Sequence, residues 1–454
     1  MRAFTWFTAA VLVGLAWSGT ASADDDAEQP PPTGAPATPI APTDAANSAP
    51  DAARPGPVAA EADAAKRDTA AAAATAKPDS ATDDFLPTAD DPRIPNFLRA
   101  LRLGEDSLLL GGYIQPGFRY VTDTDFNQDD SDGFDFGNAD IIGRGDLTIW
   151  EKLGAAFRFD FSVNQGNFNV RDVYGTVSWD KDLVALDIGQ LKVPFGEAVI
   201  QSEAQLQFPV PARIKRLGFN RDIGVQLRSN IPIGQVDLGL SAMIANGEGG
   251  FRQRINIDGE FLYAGRIEVA PLGRMGKSEA DLDNSDFQCA FGFDAAYNGA
   301  LGNDLGIGDA GAGEKRIGGD VRLWFKGLSV RGELIHGFRD ATASSPSFDR
   351  YSVMAQAGYV LPIPIDLPKF EVVARFEQLD LDMSNDGTEG SDYIVDQSSV
   401  RQLQFGANVY VVQHAVKVQF LYQLTDLLEG PMVDRNGNVL LGDTIYIFTQ
   451  FAWL

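Results

Sequence analysis

Apolar and polar residues alternate with a period of two through most of the chain. In the segment 153–164 (LGAAFRFDFSVN), aliphatic and aromatic residues occupy one set of alternate positions, and Arg, Asp, Ser and Asn occupy the other. Successive side chains of a strand point to opposite faces, so this period indicates β-strands with one apolar and one polar face. The same alternation recurs in the segments 139–149, 173–179, 401–411 and 416–424.

Sixteen such segments follow one another, most of them close to the length of a tilted strand that crosses a membrane. An even number of strands of about 10 residues is typical of a closed antiparallel barrel in a bilayer. A soluble antiparallel sandwich also alternates, and it remains the alternative at this point. The predicted strands cover approximately 108–120, 138–151, 153–164, 171–180, 182–190, 219–229, 235–245, 258–270, 287–298, 314–326, 328–339, 350–361, 370–381, 400–412, 414–426 and 443–454.

The lengths of the connections agree with a barrel whose two termini lie on the same side. Short turns and long loops mostly alternate, as expected for periplasmic turns and external loops. The exception is 271–286, which is too long for a periplasmic turn. Sixteen strands enclose an aqueous channel rather than a packed interior. The long external loops are predicted at 121–137, 191–218, 299–313, 382–399 and 427–442.

The N-terminal part of the chain resembles an export signal followed by a linker. Residues 1–23 combine Arg2, a short apolar run and a small-residue cleavage site, so we expect a secretory signal peptide. Residues 24–93 are rich in Ala, Pro and Asp and hold 14 acidic against 5 basic residues, which predicts a disordered periplasmic linker. Residues 94–107 form a short helix or linker before a barrel at 108–454. Export favours the barrel over the sandwich, because closed barrels are the sheets that can span a membrane.

Composition excludes several classes of function. The net charge of −26 argues against a nucleic-acid-binding face. Cys289 is the only cysteine, so a disulfide scaffold is impossible. His336 and His414 are the only histidines and leave little for a zinc or His-based catalytic centre. We therefore expect no enzyme activity, no metal and no cofactor. The first external loop holds six Asp within 123–135, and such a loop can bridge loosely to lipopolysaccharide through divalent ions.

The third external loop, 191–218, differs from the others in length and composition. It is the longest connection and is moderately apolar, so it has surface to bury, and the simplest place for it is inside the barrel. The net charge of the loop is positive, opposite in sign to that of the whole protein, because its basic residues outnumber its two acids, Glu197 and Glu203. Cations at a constriction favour anions; the alternative is that these bases only pair with acids of the lumen. The bases of the loop and the next strand are Lys192, Arg213, Lys215, Arg216 and Arg221.

Four sequence runs resemble the phosphate-selective porin O and P family. They are GQLKVPFGEAVIQSE at 189–203, RDIGVQL at 221–227, ARFEQLD at 374–380 and KVQFLYQ at 417–423. The resemblance implies a sixteen-stranded barrel among outer-membrane lipids, usually a homotrimer, that passes phosphate or other small anions. It also implies an anion site on the barrel wall and the third loop. The matching positions include Lys192 and Arg221, with Arg144 as a wall partner.

The inward faces of the predicted strands carry acids and bases in equal measure. Such a wall is balanced and is not a cationic ladder, so anion preference and general permeation both remain open. Three functions follow: an anion or phosphate porin, a general or cation-preferring porin, and a structural anchor whose tail binds the cell wall. The wall residues are Arg158, Arg266, Arg322, Arg331 and Arg375 with Asp160, Glu268, Asp320, Glu333 and Glu377.

Overall fold

The computed structural model describes the barrel and parts of its connections. The signal segment 1–23, the tail 24–93 and all of 94–107 except residues 101–103 lie outside the described part. The described residues are 101–103, 108–121, 133–150, 152–164, 167–180, 183–249, 256, 259–299, 313–341, 347–365, 367–380, 399–429 and 443–453.

Sixteen antiparallel strands close into a barrel, which confirms the predicted fold. Each strand pairs with the next along the chain, and the last pairs with the first, for example Phe451 with Ile114. A further short strand, β1 (Leu101–Leu103), pairs with the first barrel strand in the region predicted as a short helix or linker. The barrel strands are β2 (Leu108–Val121), β3 (Gly133–Trp150), β4 (Leu153–Asn164), β5 (Asn167–Trp179), β6 (Val184–Lys192), β7 (Arg221–Ile233), β8 (Val236–Ala245), β9 (Leu262–Ala270), β10 (Gln288–Asn298), β11 (Glu314–Phe325), β12 (Leu328–Arg339), β13 (Phe348–Val360), β14 (Lys369–Asp380), β15 (Ser399–Val412), β16 (Val416–Glu429) and β17 (Thr444–Trp453).

The alternation of the sequence separates the two faces of the barrel. On β10, Phe291 and Phe293 point outward and are exposed, whereas Asp294 points inward and is buried. An outward apolar band and a polar interior are the arrangement that lipid outside and water inside favour. In the described part of the chain, no helix has both the length and the apolar character to cross a bilayer.

The two ends of the barrel differ in their connections. At the turn end, where β2 begins, tight turns such as 234–235 and 326–327 join neighbouring strands. At the opposite end, the loop end, most connections are long. Three connections depart from this rule: β4 and β5 are separated only by 165–166 at the loop end, and the turn-end connections 271–287 and 361–368 are longer than tight turns. The long turn-end connection predicted from the sequence is therefore real and is not an error in a strand boundary.

The connection 193–220 folds into the lumen, as predicted for the third loop. It contains a short helix, α1 (Glu197–Ile200), and two 3-10 helices, Glu203–Gln205 and Arg213–Leu217. Its apolar side chains are fully buried against an apolar patch of the inner wall, which explains why the loop leaves the solvent. The loop contributes Val193, Phe195, Ile214, Leu217 and Phe219, and the wall contributes Met243, Ala245, Leu262, Ala264, Ala296, Ile335, Met354, Leu379 and Val400.

Charged groups of the wall bind the backbone of this loop. Lys417 donates to the carbonyls of Ala204 and Leu206 at 3.2 and 2.7 Å. Arg316 and Arg375 donate to the carbonyls of Leu217 and Val210 at 2.7 and 3.1 Å. Glu333 accepts from the N–H of Ala198 at 2.9 Å, and Glu377 accepts from the N–H of Arg213. Buried backbone groups need such partners, so much of the balanced wall charge serves to hold the loop.

Docking of the loop predicts its protection from proteolysis. Ile214 is fully buried between bases that trypsin recognises. We expect Ile214→Asp, which buries an unpaired carboxylate at a cost of about 3–5 kcal/mol, to release the loop and permit cleavage after Lys215 or Arg216. The measurement is mass spectrometry of tryptic fragments from protein folded in detergent. Asn220→Asp, a change at an exposed position of the same connection, should stay uncut like the parent; equal cleavage of all three proteins would contradict the docked loop.

Candidate functional site

Two cavities of the lumen adjoin the in-folded loop among the described residues. The larger one, which we call the vestibule, has a volume of about 990 Å³. It lies at the loop end, because Asn220, Gly247 and Asn298 line it. Among the described residues, six basic side chains and a single acidic side chain, Asp222, line the vestibule. The bases are Arg171, Arg213, Lys215, Arg216, Arg221 and Arg316.

The second cavity lies nearer the turn end and has a volume of about 220 Å³. Its walls include Asn230, Asp237 and Arg274, which are close to turn-end connections. Its charge is nearly balanced, in contrast to that of the vestibule. The basic residues that line it are Arg158, Arg171, Lys192, Arg221, Arg228, Arg266, Arg274 and Lys277, and the acidic residues are Asp140, Asp160, Asp172, Asp187, Glu203, Asp237 and Glu268.

Arg171 and Arg221 line both cavities, so the two spaces adjoin at this pair. We call this place the eyelet and include in it the neighbouring Lys192, Glu203 and Lys215. Glu203 of the loop accepts from Arg171 at 2.7 Å and from Lys215 at 2.6 Å. The eyelet therefore joins the barrel wall to the in-folded loop through one carboxylate.

The other eyelet arginine is held by the wall. Arg221 donates to Asp172 at 2.6 Å, and Arg171 also donates to Asp140 at 2.5 Å. Charge-assisted bonds of this kind fix the guanidinium planes in position. The alternative raised by the sequence, that the bases pair with acids of the lumen, thus holds for two of the bases it named, Lys215 and Arg221, and Arg171 is paired in the same way. Their acid partners Asp140, Asp172 and Glu203 line the turn-end cavity and not the vestibule, so the vestibule side presents the cations.

Arg171 reaches the lumen because of a β-bulge. Asp160 pairs with Asp172, but the next residue of β4, Phe161, pairs with Val170, so Arg171 is an extra residue in β5. Bulges redirect side chains in this way. Strict alternation places Arg171 with Val173 on the apolar outer face, so the sequence pattern alone does not identify Arg171 as a residue of the lumen. The sequence holds one sign of the bulge, because Arg171 is a basic residue at a position where alternation predicts an apolar one.

The Lys-x-Pro-Phe-Gly run at 192–196 begins the path of the loop into the lumen. Lys192 donates to the carbonyls of Ile200 and Gln201 at 3.1 and 2.7 Å and so closes the turn around α1. Phe195 is fully buried in the loop core. Gly196 has a φ of 80°, a left-handed conformation that glycine adopts readily. Lys192, Phe195 and Gly196 of this run thus each contribute to turning the chain inward.

The Arg-Asp-x-Gly-Val run at 221–225 fixes the other end of the loop. Arg221 contributes to the eyelet, and Asp222 accepts from the N–H of Gly247 at 2.7 Å, which ties β7 to the connection after β8. A Cβ at Gly224 would lie 2.3 Å from the carbonyl oxygen of Ile244. Only glycine permits this close approach of the two strands.

Burial and neighbouring charges shift the pKa values of several charged residues of the loop, Glu203 and Arg213 among them. Burial alone would raise the pKa of Glu203, but the cations Lys215 and Arg171 and their hydrogen bonds hold that pKa well below its ordinary value. Burial, together with the nearby Arg216, lowers the pKa of Arg213 to about 10. Glu203 is therefore a carboxylate and Arg213 a cation at neutral pH, and both keep the charges that the site requires.

The structure brings five of the six predicted site residues together. The vestibule is lined by Arg213, Lys215, Arg216 and Arg221. Lys192 lies beside Arg221 as its register partner on the neighbouring strand and lines the turn-end cavity. The sixth, Arg144, also points inward but lies near the turn end, opposite Leu109. It pairs with Asp146 at 2.9 Å and lines neither cavity. No cluster of three or more His, Cys, Asp or Glu side chains suited to a metal occurs among the described residues.

Comparison with known proteins identifies the family. The sequence model of the phosphate-selective porin O and P family matches residues 110–427. The chain belongs to this family. The match spans both motifs and nearly the whole barrel, so the resemblance inferred from the sequence is confirmed, and the protein is a porin of the bacterial outer membrane.

Solved structures of other porins share the fold of this porin at low sequence identity. OmpF of Salmonella typhi in complex with daunomycin is 12% identical, with a TM-score of 0.51 over 78% of this chain and 100% of that one. A loop-deletion mutant of OmpT, an outer membrane protein of Vibrio cholerae, is 11% identical, with a TM-score of 0.50 over 76% and 99%. An anion-selective porin from Comamonas acidovorans is 13% identical, with a TM-score of 0.48 over 77% and 100%. No curated protein gives a significant match.

The family and the fold together describe a channel rather than an enzyme. The turn-end cavity is lined by strands from β2 to β9 together with the loop. The vestibule is lined by strands on both sides of the porin lumen, including β4 to β7 and β15 to β17.

The eyelet predicts different roles for two inward-facing arginines. Arg171→Ala leaves Asp140 and Glu203 without this cation, so we expect the permeability ratio of chloride to potassium to fall below that of the parent. Arg144→Ala, at a position that lines neither cavity, is the matched control and should keep the parent preference. The measurement is the reversal potential in a planar bilayer under a KCl gradient. A larger effect of Arg144→Ala than of Arg171→Ala would contradict the placement of the eyelet.

Proposed function

We propose that this porin conducts small anions, phosphate among them, by passive diffusion through a barrel narrowed by its basic loop. Solutes enter the vestibule from outside, pass the eyelet at Arg171 and Arg221, and leave through the turn-end cavity. No step of chemistry is involved. Selectivity arises from the charge and the width of the path, as in other channels that use rings of charged side chains.

The observation that carries the proposal is the charge of the vestibule. Six basic residues against one acidic residue line it in the part of the chain that the structure describes, and the protein as a whole has a net charge of −26. A cavity of one sign with low-dielectric walls concentrates counter-ions and speeds their entry. Three of these bases, Arg213, Lys215 and Arg216, come from the in-folded loop, so the loop supplies both the constriction and much of the field.

The paired arginines of the eyelet suit passage better than tight capture. Arg171 and Arg221 already bind carboxylates, and an anion that approaches them competes with those partners. Conduction requires binding that is favourable enough for entry and weak enough for release. We therefore expect a general preference for small anions, with phosphate as one of several solutes.

The family's usual assembly and the chain ends complete the proposal. We propose a homotrimer in outer-membrane lipids, with lipopolysaccharide at the loop end. Residues 1–23 are proposed as the signal peptide, and 24–93 as a periplasmic linker. The turn end, where β2 begins, then faces the periplasm.

A general or cation-preferring porin is the competing function, and the balanced lining of the turn-end cavity favours it. The two functions differ in which part of the path sets the preference. If the vestibule dominates, anions are preferred at low salt and the preference declines as salt screens its charge. If the balanced cavity dominates, the preference is weak at every salt concentration.

Neutralising the vestibule tests the proposal. We expect the double variant Arg213→Gln, Arg216→Gln to lower the permeability ratio of chloride to potassium toward one. The effect should be largest at low salt, because the Debye length shrinks from about 10 Å at roughly 0.1 M to about 3 Å at roughly 1 M. The measurement is the reversal potential under salt gradients of different mean concentration.

The control is Lys315→Gln, which removes an exposed base on the outward side of β11. It should leave the ratio unchanged. A parent protein that prefers potassium, or a double variant with the parent ratio, would reject anion preference set by the vestibule.

The tail gives a separate prediction that addresses the structural-anchor function. Deletion of 24–93 with the signal retained should leave conductance and ion preference unchanged, because the barrel closes on itself without the tail. The measurements are bilayer conductance and the fraction of protein that co-sediments with cell wall. Loss of wall association with an intact channel would assign anchoring to the tail.

A further inference from the structure

The segment 271–287 is far longer than the connection between β9 and β10 requires. These strands are direct neighbours in the sheet, and other turn-end connections, such as 234–235 and 326–327, need only a few residues. The extra length enters the lumen. Its central residues Met275, Glu279 and Asp281 are all buried.

This turn-end segment crosses the mouth of the barrel. Near its start, Met275 packs with Ala270, Ala290 and Trp324. Farther along, Ala280 and Leu282 pack with Val360 and Tyr410 on another part of the wall. Asp281 holds the last part of the segment in place. Its carboxylate accepts from the N–H groups of Ser285 and Gly327 at 2.9 and 2.7 Å, and so joins the segment to the turn between β11 and β12.

Glu279 joins this segment to the in-folded loop and to the wall at once. Its carboxylate accepts from the N–H of Gln207 at 2.7 Å, from Gln356 at 3.0 Å and from Arg331. Its own N–H donates to the carbonyl of Gln205 at 3.3 Å. One carboxylate thus holds a stretch of loop backbone against β12 and β13.

A second contact lies on the other side of Glu203. The side chain of Gln201 donates to the carbonyl of Lys277 at 2.6 Å. The turn-end segment therefore binds the loop two residues before Glu203 and again two and four residues after it. Glu203 is the carboxylate that holds Arg171 and Lys215 at the eyelet.

We propose that the turn-end segment 271–287 positions the eyelet, with Glu279 as the positioning residue. It clamps the loop on both flanks of Glu203 and thereby sets the width of the path and the placement of Arg171. Glu279 itself lines neither cavity, so it acts through the loop and not on the solute. The inference rests on the proposed path through the eyelet, and it holds whichever ion is preferred.

The test compares single-channel conductance of full-length variants folded in detergent and inserted in planar bilayers. We expect Glu279→Ala to raise the mean conductance and to add fluctuation between levels, because the 201–207 stretch loses its clamp. Glu279→Gln keeps an acceptor for the N–H of Gln207 and should restore part of the steady parent current. Gln201→Ala, which removes the clamp on the other flank, should act in the same direction by a smaller amount.

Two further variants make the outcomes distinct. Asp286→Asn changes an exposed acid of the same segment that pairs with Lys326, and it should leave the current unchanged. Glu203→Gln alters the eyelet directly and should change the current whatever holds the loop. If Glu203→Gln also has no effect, the path itself is misplaced and the proposed function fails. If Glu203→Gln acts while Glu279→Ala and Gln201→Ala both give the parent current, the positioning role is rejected.

Failure of Glu279→Ala to fold would not end the test. Folding is checked by resistance of the barrel to unfolding in SDS at room temperature. Gln201→Ala preserves the ion pair of Glu279 with Arg331, and Glu279→Gln keeps a hydrogen-bond acceptor beside Arg331. Parent-like currents from both of these folded variants, together with an altered current from Glu203→Gln, would overturn the proposal.

Discussion

The structure depends on the binding of a loop backbone by charged groups inside a barrel. A chain segment drawn into the lumen loses water, and each of its N–H and C=O groups needs a partner. Here the partners are ammonium, guanidinium and carboxylate groups of the wall. Lys417, for example, donates to the carbonyl of Leu206, and Glu333 accepts from the N–H of Ala198. Hydrogen bonds to charged groups are stronger than neutral ones. An apolar patch around Ile335 adds the burial that draws the loop inward.

This arrangement accounts for a wall that looks electrically neutral in the sequence. Wall acids and bases near the loop are used in holding it, so they contribute little net field to the solute. The field of the vestibule comes instead from loop residues such as Arg213 and Arg216, and from eyelet arginines whose carboxylates lie on the far side. The location of each charge, more than the total, therefore governs which ions enter.

The sequence predicted the sixteen strands and the in-folded loop because both follow from local patterns: alternation for the strands, and an apolar composition for the loop. It could not predict that the bulge in β5 turns Arg171 inward, since a bulge depends on the register of a neighbouring strand. Alternation shows which face of a strand a residue is on, but it does not show how far along the barrel axis Arg144 lies. The segment 271–287 is polar and resembles a solvated turn; only its contacts with distant residues such as Gln207 bring it into the lumen.

The most direct measurement of the central claim is anomalous diffraction from crystals of the full-length porin soaked in rubidium bromide. Bromide and rubidium report anions and cations in the same lattice. The account predicts bromide peaks in the vestibule beside Arg213 and Arg216 and at the eyelet between Arg171 and Arg221, with rubidium absent from the vestibule. Rubidium in the vestibule without bromide, or a loop 193–220 outside the lumen, would contradict it.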